Sequence, residues 1–311
     1  MLTIKDVLKA ASSRFNPALE PAWDAKIEAL KANFDAAYRA PSSDIDCNIF
    51  VFHVAMNAAD QLLQYPDLNI DLSAYDYNYI ISKSLANTVR LFKNIRIVFV
   101  TNDASVPLPD SENIIRVQVG VNAAHPVYER VYAMAAYVRS RLFDRKTAFV
   151  DSDTFIALNP SPIFKDDFDI GVTVRFQPNL MPFNEGVIFA SAARPALAKA
   201  FFNAYAATYE ALIRDDFLAS FYGDIRRWRD GQLSLNTVAD VFIDRDKSRK
   251  LALKPRIAVF PVDLYNFSFE ENVRYNKAQL DSKFIFHLKG NRKIMVDALL
   301  GYLDRKPTPA A

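Results

Sequence analysis

The sequence predicts an α/β fold with a mostly parallel central sheet flanked by helices. Short, continuous apolar runs alternate with segments of helical periodicity from about residue 45 onward. Continuous rather than alternating apolar runs are typical of strands that are buried on both faces of a sheet. The repeated order of strand, helix and strand favours parallel pairing. With 311 residues, 51% of them hydrophobic, the chain is long enough to build one large core.

The individual elements follow from these patterns. An amphipathic helix is predicted over residues 18–39, where a stripe of apolar residues has helical spacing: Trp23, Ile27, Leu30 and Phe34. Strands are predicted at 49–55, 95–101, 114–119, 147–150, 170–174, 186–190, 256–260 and 283–286. Further helices are predicted at 73–93, 126–143, 193–214 and about 292–303. We expect three parts: an N-terminal helical appendage (1–44), a core domain (45–295), and a C-terminal helix and tail (296–311).

Composition argues against several classes of protein. The net charge of +2, from 38 basic and 36 acidic residues, argues against a general nucleic-acid binder. A single cysteine, Cys47, excludes an internal disulfide and a cysteine-based zinc site. No apolar run approaches the ~18 residues that span a bilayer, and the N-terminus lacks a signal-peptide pattern. We therefore expect a cytoplasmic protein without a transmembrane segment. Four basic residues near the C-terminus fit either peripheral contact with an anionic membrane or a solvated helix: Arg292, Lys293, Arg305 and Lys306.

Two carboxylates at the end of one predicted strand give the main functional signal. Asp151 and Asp153 follow an apolar run and are separated by one residue. Because side chains alternate along a strand, the two carboxylates start on the same side and can converge on one cation. A hard divalent ion held by few carboxylates usually takes further ligands from substrate phosphates. The pattern indicates a metal-diphosphate site, although an isolated Asp-x-Asp is also common at turns.

The segment 147–160 resembles the Asp-x-Asp block of GT-A glycosyltransferases, particularly the retaining family 8 enzymes and their relatives. Three further blocks follow in the family's order, at 183–189, 231–236 and 286–293. They are similar to the donor-sugar strand, to the Asp-Gln-Asp block, and to the late His-x-x-Gly-x-x-Lys of the family. The resemblance implies a GT-A fold for residues 45–295.

The resemblance also implies a metal site and a diphosphate site. Asp151, Asp153 and His287 would hold Mn2+ or Mg2+, and mixed oxygen and imidazole ligation suits Mn2+ better. Gly290 and Lys293 would hold the diphosphate of a nucleoside diphosphate sugar. Without the resemblance, a strand-end histidine bonded to backbone is the favoured interpretation of His287, and a solvated residue of the last helix is the alternative for Lys293.

Sugar and base contacts are implied less directly. Asn184 would bond donor-sugar hydroxyls, or else satisfy its own backbone at a turn, and Gln232 would lie near the anomeric carbon. Glu185 stands where the family usually has a small side chain, so it is a sugar-binding carboxylate, a nucleophile or a surface carboxylate. Asn57, after the first predicted strand, is a candidate contact for the nucleotide base, or a helix cap.

The chain departs from the family at two further places. The acidic residues that flank the glutamine are replaced by Gly231 and Leu233, with Asp230 as a substitute one residue further back. The family's Tyr-Ala-Arg on the helix before the metal motif ends here in Met134. Arg130 lies one turn earlier, and we expect it on a solvated helix face rather than at the donor.

These residues predict metal-dependent transfer of a hexose from a nucleoside diphosphate sugar, most simply a UDP-sugar, to a hydroxyl. Retention of anomeric configuration follows only from the resemblance. The acceptor is a glycan, a lipid-linked saccharide or a protein hydroxyl. Two alternatives stay open: a nucleotide-sugar-binding module without transfer activity, and a haloacid-dehalogenase-type phosphatase. The phosphatase motif normally has Thr or Val where Phe155 stands, and it usually opens the domain.

Overall fold

A computed structural model describes residues 24–56, 75–123, 125–176, 181–214, 230–249, 251–270 and 273–305. Within these ranges, a seven-stranded sheet forms the centre and helices cover both of its faces. A two-stranded sheet lies beside it. The predicted α/β class is therefore confirmed.

The strands are β1 (Cys47–His53), β2 (Ile95–Thr101), β3 (Ile114–Gln118), β4 (Lys146–Asp151), β5 (Thr154–Ile156), β6 (Ile170–Val174), β7 (Phe183–Ala190), β8 (Ile257–Pro261) and β9 (Ile285–His287). The large sheet has the order β3-β2-β1-β4-β7-β6-β8, and β5 pairs with β9 in the small one. Only β7 runs against its neighbours in the large sheet, since β4 and β6 both pair with it antiparallel. The other pairs of that sheet are parallel, as the continuous apolar runs predict.

The helices of the described residues are α1 (Asp24–Ala36), α2 (Tyr77–Leu91), α3 (Pro126–Tyr137), α4 (Pro195–Arg214), α5 (Asp230–Ile243), α6 (Arg245–Ser248), α7 (Val262–Tyr265), α8 (Lys277–Asp281) and α9 (Val296–Leu303). In the same ranges, 3-10 helices span Ser161–Lys165 and Gly290–Met295. Pro126 occupies the first turn of α3, where its missing N–H costs nothing. None of the described helices is both long and apolar enough to cross a membrane.

Side-chain alternation along β1 divides the core into two layers. Phe50 and Phe52 face the layer that includes α1, α3 and α4, whereas Ile49 and Val51 face the layer that includes α2. Every residue of β1 and β2 is buried, which confirms that strands with continuous apolar runs are covered on both faces. Helix α1 buries Ile27, Leu30 and Phe34 in the first layer, while Trp23 lies outside the described residues.

Several elements differ from the sequence-based expectation. Helix α3 ends at Tyr137 rather than near 143, because Ser140 bonds the Tyr137 carbonyl through both its backbone N–H and its hydroxyl. Helix α5 was not predicted. The predicted last helix begins as a 3-10 helix and becomes α-helical only at Val296.

Candidate active site

A cavity of about 570 Å³ lies at the carboxyl ends of β1 and β4. Because β7 is antiparallel to β4, its first residues lie at the same edge of the sheet. The cavity lies where ligands bind in open α/β sheets. Each of the four sequence blocks contributes to its lining, through Asp151, Asp153, Asn184, Glu185, Gly186, Gln232, His287, Gly290 and Lys293.

Asp151, Asp153 and His287 meet at one point of this cavity. The His287 Nε2 lies 3.0 Å from Asp153 Oδ1 and 3.4 Å from Asp151 Oδ2. One ligand atom from each residue lies within 4.8 Å of the others. The β5–β9 ladder creates this meeting, since Thr154 pairs with His287 and the Leu288 N–H donates to the Asp153 carbonyl. The His287 ring therefore contacts carboxylates, as the resemblance implies.

A chain of hydrogen bonds determines which nitrogen of His287 faces the carboxylates. The Gly186 N–H donates to Asn184 Oδ1 at 3.0 Å, and Asn266 Nδ2 donates to the same oxygen at 2.6 Å. The Asn266 Oδ1 is therefore the atom 2.8 Å from His287 Nδ1, so Nδ1 carries the proton and donates. Nε2 is left with its lone pair toward Asp151 and Asp153.

This donor set fits a divalent cation. Two acceptors, Nε2 and Asp153 Oδ1, face each other at 3.0 Å, an arrangement that needs a cation or a proton between them. Burial lowers the pKa of His287, and Asp153 offsets this only in part, which favours the unprotonated ring. A histidine whose other nitrogen donates to an oxygen acceptor is the usual form of a metal-bound imidazole. The three residues fit Mn2+ or another divalent ion.

Lys293 is buried against the same carboxylates rather than solvated. Its Nζ donates to Asp153 Oδ2 at 2.6 Å and to the Leu288 carbonyl at 3.1 Å, and its side chain is 4% exposed. Burial alone would raise the pKa of Asp153, but the neighbouring Lys293 ammonium outweighs it and holds that pKa well below its usual range. The interpretation of Lys293 as a solvated helix residue, or as part of a basic surface, is therefore wrong.

Lys289 is a second cation of the cavity, and the sequence pattern does not indicate it, because it stands at a variable position of His-x-x-Gly-x-x-Lys. It is half-buried and lines the cavity. Burial and nearby Arg175 lower its pKa to about 8, against the pull of Asp151 and Asp153. Next to it, Gly290 has a φ of 55°, in the left-handed region that favours glycine.

Arg130 corrects a sequence-based expectation. It is 8% exposed, its Nη2 lies 3.0 Å from Asp151 Oδ1, and Nη2 also donates to the Glu185 carbonyl at 2.8 Å. A solvated helix face was expected, but α3 is buried on all sides from Glu129 to Tyr137. The apolar run that follows Arg130 could have indicated this burial in the sequence. A charged residue within an otherwise apolar helix is buried and must be paired.

Glu185 is largely covered, with its side chain 14% exposed, so it is not a surface carboxylate. The Tyr205 hydroxyl donates to Glu185 Oε2 at 3.0 Å, and Arg130 Nη1 lies 3.9 Å from the same oxygen. Burial raises the pKa of Glu185 to about 7, although Arg130 opposes the shift. The carboxyl group is thus held on the cavity wall close to Asp151.

Of the remaining predicted site residues, Gln232 and Asn184 line the cavity, whereas the side chains of Asp230 and Asn57 are not described. Gln232 lines the cavity from the first turn of α5, and Asn184 Nδ2 lies 3.4 Å from its Oε1. Asn184 Oδ1 is engaged within the protein by Gly186 and Asn266. Asp230 begins α5, but its side chain is outside what the structure describes, and Asn57 lies outside the described residues altogether. The sugar and base contacts assigned to these residues stay predictions.

Comparisons with known proteins are less informative than this geometry. No family model matches the chain, and no curated protein matches it. Solved structures with some likeness include the bifunctional glycosyltransferase WbbM, with 12% identity and a TM-score of 0.47 over 86% of this chain and 51% of that one. The chain thus spans about half the length of WbbM. GlyE of Streptococcus pneumoniae TIGR4 has 10% identity and a TM-score of 0.47 over 86% and 66% of the two chains.

A third structure, galactosyltransferase LgtC with donor and acceptor sugar analogues, has 13% identity and a TM-score of 0.41, covering 84% of this chain and 97% of its own. Likenesses at this level carry no argument about what the present chain does.

Proposed function

We propose that this protein is a metal-dependent glycosyltransferase with a GT-A fold. One observation supports this above the others: residues from four separate sequence blocks, between Asp151 and Lys293 in the chain, line a single cavity. The blocks resemble the metal, donor-sugar, glutamine and diphosphate segments of one enzyme family. Their convergence at the carboxyl edge of a parallel sheet is what a nucleotide-sugar site requires.

The reaction proposed is transfer of a hexose from a nucleoside diphosphate sugar, most simply a UDP-sugar, to a hydroxyl acceptor with retention of configuration. Asp151, Asp153 and His287 would hold a divalent ion, Mn2+ in preference to Mg2+. When bound, such an ion stabilises the negative charge that develops on the leaving diphosphate. The acceptor class stays open between a glycan, a lipid-linked saccharide and a protein hydroxyl.

The protein's own cations have matching tasks. Lys293 is charged and lies 2.6 Å from Asp153, so it keeps that carboxylate ionised and stands beside the place of the diphosphate. Lys289 and the Gly290 backbone line the same wall of the cavity. Positive groups fixed where charge develops stabilise a transition state without a reorganisation cost. Gln232 would lie near the anomeric carbon of the donor.

Calorimetric titration tests the proposal directly. UDP and GDP are titrated into the protein with Mn2+ and again with EDTA. We expect metal-dependent binding of one nucleotide, and its loss in Asp151→Ala and Asp153→Ala variants that keep their circular dichroism spectrum. Equal affinity for nucleotide in both variants and the wild type would sink the metal assignment. Absence of nucleotide binding with Mn2+ would remove the proposed function.

A further inference from the structure

Glu185 and Gly231 approach each other unusually closely across the cavity wall. A Cβ atom added at Gly231 would lie 2.4 Å from Glu185 Oε2 and 2.7 Å from Val127 Cγ1. Real Cβ contacts are essentially never this short. Any side chain at position 231 therefore has to displace the Glu185 carboxylate, so the carboxylate fills the space that such a side chain needs.

Neighbouring groups hold this carboxylate in place and leave part of it available. Tyr205 donates to Oε2, and Arg130 lies near the same oxygen while it bonds the Glu185 carbonyl and Asp151. Within the described part of the chain, the second oxygen, Oε1, has no hydrogen-bond partner. Glu185 lines the cavity together with Asp151 and Gln232.

The two departures from the family pattern therefore compensate each other in space. The resemblance leads one to expect an acidic residue at position 231 and a small residue at 185. This chain has the reverse, and the structure brings the two positions into contact. A carboxylate is thus present at Gly231, which precedes Gln232 in the chain, but it comes from β7 instead of α5.

We propose that Glu185 is the residue that selects the transferred sugar. Its carboxylate accepts a hydrogen bond from a hydroxyl of an uncharged hexose, and Gly231 provides the room that this carboxylate needs. A carboxylate acceptor strongly favours a ligand that offers a hydroxyl donor. It disfavours a uronate, which brings a second negative charge to the same wall. This assignment rests on the proposed function, because it places the sugar of a nucleotide donor at Glu185.

The test separates nucleotide affinity from sugar affinity. Dissociation constants are measured with Mn2+ for UDP, GDP, UDP-glucose, UDP-galactose, UDP-N-acetylglucosamine, UDP-glucuronate and GDP-mannose. Proteins compared are the wild type, Glu185→Ala, Glu185→Gln and Gly231→Ala. The matched control is Gly301→Ala, because Gly301 is also a helix glycine but a Cβ there meets nothing within 4 Å.

We expect one uncharged conjugate to bind the wild type more tightly than its free nucleotide. In Glu185→Ala and in Gly231→Ala, the affinity for that conjugate falls by roughly tenfold, as expected for a lost charged hydrogen bond. The affinity for the free nucleotide changes by less than about twofold. Gly301→Ala changes neither. Loss in Gly231→Ala is an independent result, since that variant keeps the Glu185 side chain and displaces its carboxylate, together with Val127.

The failures of the two proposals are distinguishable. Absence of metal-dependent nucleotide binding in the wild type overturns the proposed function and this assignment with it. Intact nucleotide binding, with the same conjugate affinity in the wild type and the Glu185 variants, overturns the assignment of Glu185 alone. That assignment is also overturned if no uncharged conjugate binds the wild type more tightly than its nucleotide, or if UDP-glucuronate binds best. Glu185→Gln keeps the side-chain shape and serves as the readout if Glu185→Ala does not fold.

Discussion

The Asn266 side chain orients His287: its Oδ1 lies 2.8 Å from His287 Nδ1, and its Nδ2 lies 2.6 Å from Asn184 Oδ1. Both Asn266 and His287 are almost fully buried. Because the Gly186 N–H and Asn266 Nδ2 both donate to Asn184 Oδ1, the Asn266 Oδ1 accepts from His287 Nδ1, and Nε2 is directed at the carboxylates. Asn266 belongs to none of the four sequence blocks, yet it sets the tautomer on which the proposed metal site depends.

Replacing Asn266 with Ala should weaken Mn2+ binding by roughly 10- to 100-fold, because outer partners of a ligating histidine have effects of this size. Without the amide, neither the tautomer nor the ring orientation of His287 is fixed. The measurement is titration of Mn2+ followed by the electron paramagnetic resonance signal of the free ion. Asn113→Ala is the matched control, since Asn113 bonds the Lys93 carbonyl in a surface turn. Equal Mn2+ affinity in the two variants would contradict the role given to Asn266.

Gly186 should tolerate no side chain. A Cβ atom there would lie 2.7 Å from Cε1 and 2.8 Å from Nδ1 of His287. We expect Gly186→Ala to push the ring away from Asp153 and to weaken Mn2+ binding by about tenfold or more, in the range seen for disturbed outer partners. Gly120→Ala is the control, because a Cβ at that position meets nothing within 4 Å. Wild-type affinity for the ion in both variants would show that the ring does not need this space.

Nucleotide affinity should depend on pH through Lys289. Burial lowers its pKa to about 8 from the ordinary 10.5, so the ammonium is charged below pH 8 and loses its proton as the pH rises through that value. We expect the affinity advantage of the wild type over Lys289→Gln for UDP with Mg2+ to shrink between pH 7 and pH 9. Lys283→Gln, a lysine paired with Asp263 outside the cavity lining, should show no such pH dependence relative to the wild type. If the affinity advantage of the wild type over Lys289→Gln stays constant across this pH range, Lys289 does not bind the diphosphate.

The sequence was sufficient for the central strands and for the candidate trio Asp151, Asp153 and His287, which the structure brings together. Strands such as β1 and β2 are buried on both faces, so their apolar runs are visible without any knowledge of their neighbours. Asp151, Asp153 and His287 have side chains that commonly bind metal ions, so their residue types and their spacing in the sequence are enough to suggest the site. The three-residue strand β5 was not visible, because its partner β9 lies far along the chain and three residues form no periodic pattern.

Arg130 and Asn266 show what sequence patterns leave out. Arg130 was expected in solvent because a charged helix residue usually lies there, and its burial depends on the packing of α3 against other elements. The role of Asn266 depends on contacts with residues 21 and 82 positions away. The contact between Glu185 and Gly231 is likewise tertiary, so two departures that seemed independent in the sequence are one feature of the fold.

The most direct test of the central claim is release of nucleoside diphosphate from a donor sugar. Purified protein is incubated with UDP-glucose, UDP-galactose, UDP-N-acetylglucosamine or GDP-mannose and Mn2+, and the nucleotide products are separated by chromatography. We predict slow release of the diphosphate from one donor, abolished by EDTA and absent in Asp153→Ala. Metal-dependent nucleotide binding without release of a nucleoside diphosphate, with or without a sugar acceptor, would contradict the claim that the protein is an enzyme. It would then be a nucleotide-sugar-binding module.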